Sequence, residues 1–256
     1  MITSLQNEKV KLIKGLQTRP RTRRKERKIV LEGTRLIRDA LSCGLKPQFA
    51  LYEAQTADFE LVATLQARNV EVLPVNTEVM QYVSDTTTPP GVIGVFPLPT
   101  PPLPRSPQRI LILDRLSDPG NLGTLLRTAA AAGVDVVVLS PESADPYNPK
   151  TLRSGMGAHF RVPLAEADWE QIAAYCENVG VYAATGDGDT SYDTIDWRGR
   201  WALIIGSEAH GVSAEARELA THQIFIPMAA RTESLNAATA AAVVLFEAAR
   251  QQRLKQ

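Results

Sequence analysis

Cysteine, histidine and aromatic residues are scarce in this chain: its 256 residues include two cysteines, three histidines and 6% aromatics. Cys43 and Cys176 stand far apart without metal-type spacing, which excludes a disulfide framework and suits a reducing cytoplasm. His159, His210 and His222 are equally scattered, so neither zinc nor a His-centred site is expected. No run approaches the roughly 18 consecutive apolar residues of a membrane helix. Residues Met1 to Lys14 carry Lys9, Lys11 and Lys14 with no apolar stretch behind them, so neither secretion nor membrane spanning is expected. Net charge is missing too, with 28 basic and 28 acidic residues. What is present, 44% hydrophobic residues, suffices for one or two ordinary cores of a soluble cytoplasmic protein.

The zero net charge conceals a polarity. The first thirty residues hold ten Lys and Arg against Glu8 and Glu26. An isolated run of this kind is usually a solvated helix face. Here the run leads directly into the apolar Ile29 to Leu31 and then Glu32-Gly33, so it belongs to a folded unit whose face can meet phosphates. Nucleic acid is the expected partner, because Leu5, Leu12 and Leu16 read as a core-facing stripe rather than a membrane face.

Between Pro97 and Gln108 six of twelve positions are proline, a composition that forbids helix and favours an extended spacer. It divides the chain into a domain over 1–97, a linker over 98–108 and a domain over 109–256. Before it, the strand-like runs Ile29 to Leu31, Phe49 to Tyr52, Val70 to Leu73 and Val92 to Phe96 alternate with helical patterns at Thr34 to Ser42 and Asp58 to Ala67. After it come apolar runs at Ile110, Val134, Val181, Ala202 and Ile224, with helices expected from Asn121, near Trp169 to Glu177 and from about Ser234. That alternation implies an α/β fold with a parallel sheet covered by helices on both faces.

Ligands of such sheets bind beyond the carboxyl ends of the strands, and three loops there are rich in glycine and polar residues. In Asp118-Pro119-Gly120-Asn121-Leu122-Gly123-Thr124-Leu125-Leu126-Arg127, Asn121 is a candidate helix cap, and the rest reads as an ordinary strand-to-helix turn. Arg127 is the exception, a guanidinium in a small, apolar helix where it needs an anionic partner. In Gly206-Ser207-Glu208-Ala209-His210-Gly211-Val212-Ser213 the glycines permit close backbone approach and Glu208 supplies a carboxylate, while Ser213 is a candidate cap. In Ile226-Pro227-Met228 through Glu233-Ser234-Leu235-Asn236, Ser234 or Thr232 reads as the cap of an alanine-rich helix. Asn236 is unexplained inside the first turn of that helix, because asparagine is a poor helix former.

Taken together, Asn121-x-Gly123-x-x-x-Arg127, Gly206-x-Glu208-x-x-Gly211, and Ile226-Pro227-Met228 followed by Glu233-Ser234-Leu235-Asn236 resemble motifs one, two and three of the SpoU (TrmH-like) RNA 2′-O-ribose methyltransferases. Their order and spacing agree over the whole domain after the linker. The first domain, with its basic start and Val30-Leu31-Glu32-Gly33, is similar to the ribosomal-protein-like substrate-binding domain of many members.

The resemblance implies a parallel sheet whose C-terminal part is threaded into a deep trefoil knot, a homodimer, and S-adenosylmethionine as cofactor. By matching positions, Gly206, Ile226 and Leu235, with Thr185 and Met228 beside them, hold the cofactor. Arg127 grips RNA and assists activation of the 2′-hydroxyl, Asn121 and Glu208 orient the site (Glu208 by positioning Arg127 or substrate), and Ser234 and Asn236 hydrogen-bond substrate or the neighbouring motif. Arg23, Arg24 and Lys28 in the basic block are expected to contact RNA, with Lys150 and Arg153 as weaker candidates that an ordinary helix start explains equally well. Ribosomal RNA is favoured over transfer RNA. Two rivals stand beside this reading. One is a nucleotide-binding oxidoreductase with Gly186-Asp187-Gly188 as phosphate loop, which lacks the Gly-x-Gly-x-x-Gly turn. The other is a non-catalytic RNA-binding assembly factor.

Overall fold

The computed structural model describes residues 1–229 and 234–254. Its contacts group into two compact units, Met1–Pro99 with Tyr147–Phe160, and Thr100–Pro146 with Arg161–Gln256.

The first unit runs α1 (Glu8–Thr18), α2 (Pro20–Glu26), β1 (Lys28–Glu32), α3 (Thr34–Ser42), β2 (Phe49–Glu53), α4 (Phe59–Ala67), β3 (Glu71–Val75), α5 (Thr77–Val83) and β4 (Val92–Pro97). Its sheet has the order β1-β4-β2-β3, with only β2 and β3 parallel. Side chains alternate between the two faces, as period two demands. Ile29 and Leu31 join Leu36, Ile37, Leu61 and Leu65 of α3 and α4, while Val30 joins Val10, Ile13, Val79 and Met80 of α1 and α5. Each such fully buried side chain contributes about 1.5–3 kcal/mol.

Two details depart from the sequence reading. The basic segment breaks between α1 and α2 because Arg19, preceding Pro20, is pushed to an extended conformation (φ −126°, ψ 109°). The buried stripe of α1 is Val10, Ile13 and Leu16, with Leu5 and Leu12 only partly covered. Asn7 caps the helix, and the apolar positions three apart turn inward as a helical period requires.

The second unit contains β5 (Arg109–Leu113), α6 (Pro119–Ala132) and β6 (Val136–Leu139); the next helix, α7 (Pro149–Gly155), lies in the segment that groups with the first unit. There follow β7 (Leu164–Glu166), α8 (Trp169–Tyr175), β8 (Gly180–Ala184), β9 (Thr190–Ser191), β10 (Trp201–Ile205), α9 (Ala214–Leu219), β11 (His222–Phe225) and α10 (Ala237–Arg253). The seven strands form one sheet, in the order β7-β6-β5-β10-β8-β11-β9, and every pairing is parallel. The central strands β5, β6, β8 and β10 are largely apolar because both faces are covered. Ile110, Ile112, Ala202 and Ile204 pack with Ile172 of α8 and Ala216 of α9. The alternate residues Leu111, Leu113, Leu203 and Ile205 are equally buried, on the side left to α6 and α10, which pack on each other.

Candidate active site

Register brings the strand ends together. Ile205 of β10 pairs with Leu113 of β5 on one side and Ala184 of β8 on the other, and Ala184 pairs with Ile224 of β11. Four loops therefore leave the sheet side by side, beginning at Asp114, Gly206, Thr185 and near Ile226.

The loop after β10 is pinched into a narrow turn, in which Ser207 and Gly211 exchange backbone hydrogen bonds of 3.0 and 2.8 Å. A Cβ at Gly206 would lie inside the backbone of Gly211 and Val212, so any side chain there would force the turn open. Ser213 caps α9 by accepting from the Ala216 N–H at 3.2 Å, as its position suggested.

The two asparagines are placed differently from the sequence reading. Asp118 caps α6, accepting from the Asn121 N–H at 2.8 Å, with Pro119 at the first helical position. Asn121 is thus inside the first turn, with its side chain free to reach outward. Asn236 is not inside α10 but caps it, accepting from the N–H groups of Ala238 (2.9 Å) and Thr239 (3.3 Å). This answers why an asparagine stands there, and replaces Ser234 as the candidate cap; Thr232 and Glu233 lie outside the described residues. The asparagines then join: Asn236 Nδ2 donates to Asn121 Oδ1 at 3.2 Å, and Asn121 Nδ2 donates to Glu208 Oε1. One residue of each motif thus enters a single chain of hydrogen bonds.

Beside this chain lies a cavity of about 470 Å³, within the range of small-molecule sites. Gly206, Ile226, Leu235, Thr185 and Met228, the five expected cofactor residues, all line it, together with Glu208 and Ser234. Ile205, Ile226, Leu235 and Val244 offer an apolar slot for a flat ring, and the backbone around Gly206 offers polar groups at close range. The Thr185 hydroxyl is buried at the cavity wall beside Asp187, and its oxygen can still accept from the polar edge of a ligand. Arg217 forms an ion pair with Asp187 at 3.3 Å and holds that carboxyl below its ordinary range, with lesser help from the nearby Thr185 hydroxyl. Gly188 lies against the backbone of Gln223 and Ile224; the Gly186-Asp187-Gly188 segment thus abuts β11. Among the described residues no group of His, Cys, Asp or Glu could hold a metal ion.

The remaining expected residues divide. Arg127 is exposed on α6, on one face with Thr124 and Ala131. Being exposed, the guanidinium is open to an anionic partner from outside the fold, and Glu208 is bonded to Asn121 rather than to Arg127. Arg24 and Lys150 are exposed, and Lys28 pairs with Glu26 at 3.4 Å. Arg153 pairs with Asp85 at 2.5 Å. Arg23 corrects the expectation of RNA contact: it is 3% exposed and donates to the carbonyls of Leu16 and of Gln17 (3.1 Å). It satisfies the C-terminal carbonyls of α1, which otherwise lack donors.

Asp114 is a residue that motif reading missed. It is fully buried and accepts from the Ser213 N–H at 2.6 Å. The available signal was an acidic residue closing the apolar run of β5, where a buried carboxylate needs partners.

Comparison with known proteins adds to this geometry. Residues 108–246 match the model of the SpoU rRNA Methylase family, and residues 7–94 match that of an MRM3-like substrate binding domain. The chain is 36% identical over 293 residues to mouse "rRNA methyltransferase 3, mitochondrial", covering 91% of this chain and 70% of that one. It is 33% identical over 247 residues to the Bacillus subtilis "23S rRNA (guanosine(2553)-2'-O)-methyltransferase RlmP", covering 96% and 97%. The crystal structure of an AdoMet-bound rRNA methyltransferase from Sinorhizobium meliloti is similar, with a TM-score of 0.84 and 36% identity over 97% of each chain.

Proposed function

The chain belongs to the SpoU rRNA methylase family, and from that premise we propose that it transfers a methyl group from S-adenosylmethionine to a ribose 2′-hydroxyl of ribosomal RNA. One observation carries the proposal: the five residues matched to cofactor positions line a single cavity, which shares Glu208 with the hydrogen-bonded chain of Asn121 and Asn236.

When bound, S-adenosylmethionine supplies an electrophilic methyl on a sulfonium. The residues of the chain must bind it, orient the hydroxyl, exclude water and manage a proton. Ile226 and Leu235, with Met228 beside them, would hold the cofactor's apolar parts, and the backbone around Gly206 and the Thr185 hydroxyl would meet its polar edges. Asn121 fixes Glu208 and Asn236 relative to each other, so that Glu208 and Ser234 face the cavity in set positions. Arg127 grips an RNA phosphate or ribose and stabilises the developing alkoxide by its charge; since a guanidinium keeps its own proton, the hydroxyl proton passes to the gripped phosphate or to solvent.

Residues 1–97 select RNA, the proline-rich 98–108 acts as linker, and 109–256 form the catalytic domain. Arg24 and Lys28, with Lys150, contact phosphates and make binding salt-sensitive. The similarity to rRNA methyltransferases supports ribosomal over transfer RNA. Two copies pair as a homodimer; Phe246 on α10, 47% exposed, supports an apolar contact there. The second unit is threaded as a trefoil knot. The protein works in the cytoplasm, and no described helix is long and apolar enough to cross a membrane.

The test is transfer of labelled methyl from S-adenosylmethionine to ribosomal and transfer RNA fractions isolated from a strain lacking this gene. Label in ribosomal RNA alone is expected. Label in transfer RNA alone would overturn the substrate class, and no label in either would overturn the activity.

A further inference from the structure

The loop that carries Gly206 and Glu208 is held at its far end by a group the mechanism does not use. Asp114 has no solvent exposure. Its Oδ2 accepts from the Ser213 N–H at 2.6 Å, its Oδ1 accepts from the Ser140 hydroxyl at 3.3 Å, and Arg115 Nε lies 3.6 Å from Oδ1. Ser140 follows β6, and its hydroxyl oxygen also accepts from the Arg115 N–H at 3.0 Å. One buried carboxylate therefore ties together the loops that leave β5, β6 and β10.

A carboxylate enclosed this way is costly unless several donors converge on it. A fold needing only a stable strand end is served by an apolar residue, so the charge points to a demand for position. The Ser213 N–H is the exit of the pinched turn at 206–211. Asn121 holds Glu208 within the same loop, so the segment is gripped twice, once from Asp114 just after β5 and once from the first turn of α6. The cavity wall that these grips set includes Gly206, Gly211 and Val212.

We propose that Asp114 is a positioning residue for cofactor binding, acting through the Ser213 N–H to hold the 206–213 loop in its ligand-ready shape. The proposal rests on the reading of the cavity as the S-adenosylmethionine site. In Asp114→Asn the carbonyl oxygen still accepts from Ser213, but the amide places a donor opposite Arg115 and Ser140, and the charge assistance is lost.

The experiment measures the affinity of S-adenosylhomocysteine for the full chain by calorimetry, well below the melting temperature, with hydrogen exchange followed across 206–213. The wild type binds, and Asp114→Asn binds at least about tenfold more weakly while the 206–213 amides exchange faster. Asp135→Asn serves as the stability control, because Asp135 pairs with Arg109 at 2.6 Å at the opposite end of β5; it lowers Tm without changing affinity. If Asp114→Asn does not fold, Ser140→Ala decides, with a smaller loss of affinity expected. Unchanged affinity in a folded Asp114→Asn, or in Ser140→Ala where that variant decides, overturns the proposal. A wild type that binds no S-adenosylhomocysteine overturns instead the reading of the cavity on which it rests.

Discussion

The side-chain amide of Asn236 donates to Asn121 Oδ1 at 3.2 Å, across 115 positions of sequence. Each end also serves its own neighbourhood, Asn236 by capping α10 and Asn121 by bonding Glu208. The contact thereby links the entrances of the two helices that pack on each other to the loop after β10.

Removing the middle member should uncouple this chain. Asn121→Ala leaves Glu208 and Asn236 without their shared partner, while Asp118 still caps α6. Misplacement of site groups by about an ångström costs on the order of 10²-fold in rate. A loss of about that size in kcat, with Tm nearly unchanged, is expected from steady-state methyl-transfer assays; wild-type kcat would remove the network from the mechanism.

Gly206→Ala should act on binding. Its Cβ would enter the backbone of Gly211 and Val212, and relieving such overpacking costs about 1–3 kcal/mol. Calorimetry with S-adenosylhomocysteine should show affinity weakened by about tenfold or more, and an unaltered Kd would mean that the turn opens freely.

Arg127→Ala should separate chemistry from cofactor binding. The side chain is exposed and does not line the cavity, so S-adenosylhomocysteine affinity is expected to hold while turnover disappears. Full residual turnover would remove Arg127 from the reaction.

Two neighbouring arginines should behave in opposite ways. Arg23→Ala deletes buried charge-assisted hydrogen bonds to α1 carbonyls, a loss of about 2 kcal/mol in urea unfolding. Arg24→Ala should alter stability by less than about 0.5 kcal/mol. It should instead lower the salt dependence of RNA binding by roughly one phosphate contact. Equal effects of the two on stability would contradict the placement of Arg23.

Burial pushes the Cys176 thiol up to about 11 from its ordinary value of 9.0. The unfolded chain ionises first, so this group's stabilisation is complete below about pH 9 and is lost as pH rises toward 11. Unfolding titrations should show that alkaline decline, and Cys176→Ala should flatten it. Identical pH profiles for the two proteins would place the thiol in a more exposed setting.

The elements were legible wherever residues of one type recur at one period. Apolar runs mark β5, β8 and β10, and Gly206, Ile226 and Leu235 line one cavity, the first two because each directly follows a strand end. Local rules failed where two residues competed for one task. Asp118 and Asn121 are both good caps, and Pro119, which pre-sets the first helical turn, selects Asp118. The alanines that follow Asn236 closely place it inside a helix by sequence, yet it stands one position outside, as the cap of α10. Arg23 was hidden in a charge run, since only the packing of α2 against α1 distinguishes it from Arg24. The strands β7 and β9 are short and partly polar, and only pairing with β6 and β11 defines them.

In the proposed reaction a ribose oxygen accepts the methyl group. The most direct measurement is digestion of labelled ribosomal RNA to nucleosides after incubation with the protein and S-adenosylmethionine, followed by chromatography and mass analysis. Label in a 2′-O-methylnucleoside, absent with Arg127→Ala, is the predicted result. Label on a base, or none in RNA despite cofactor binding, would contradict the account.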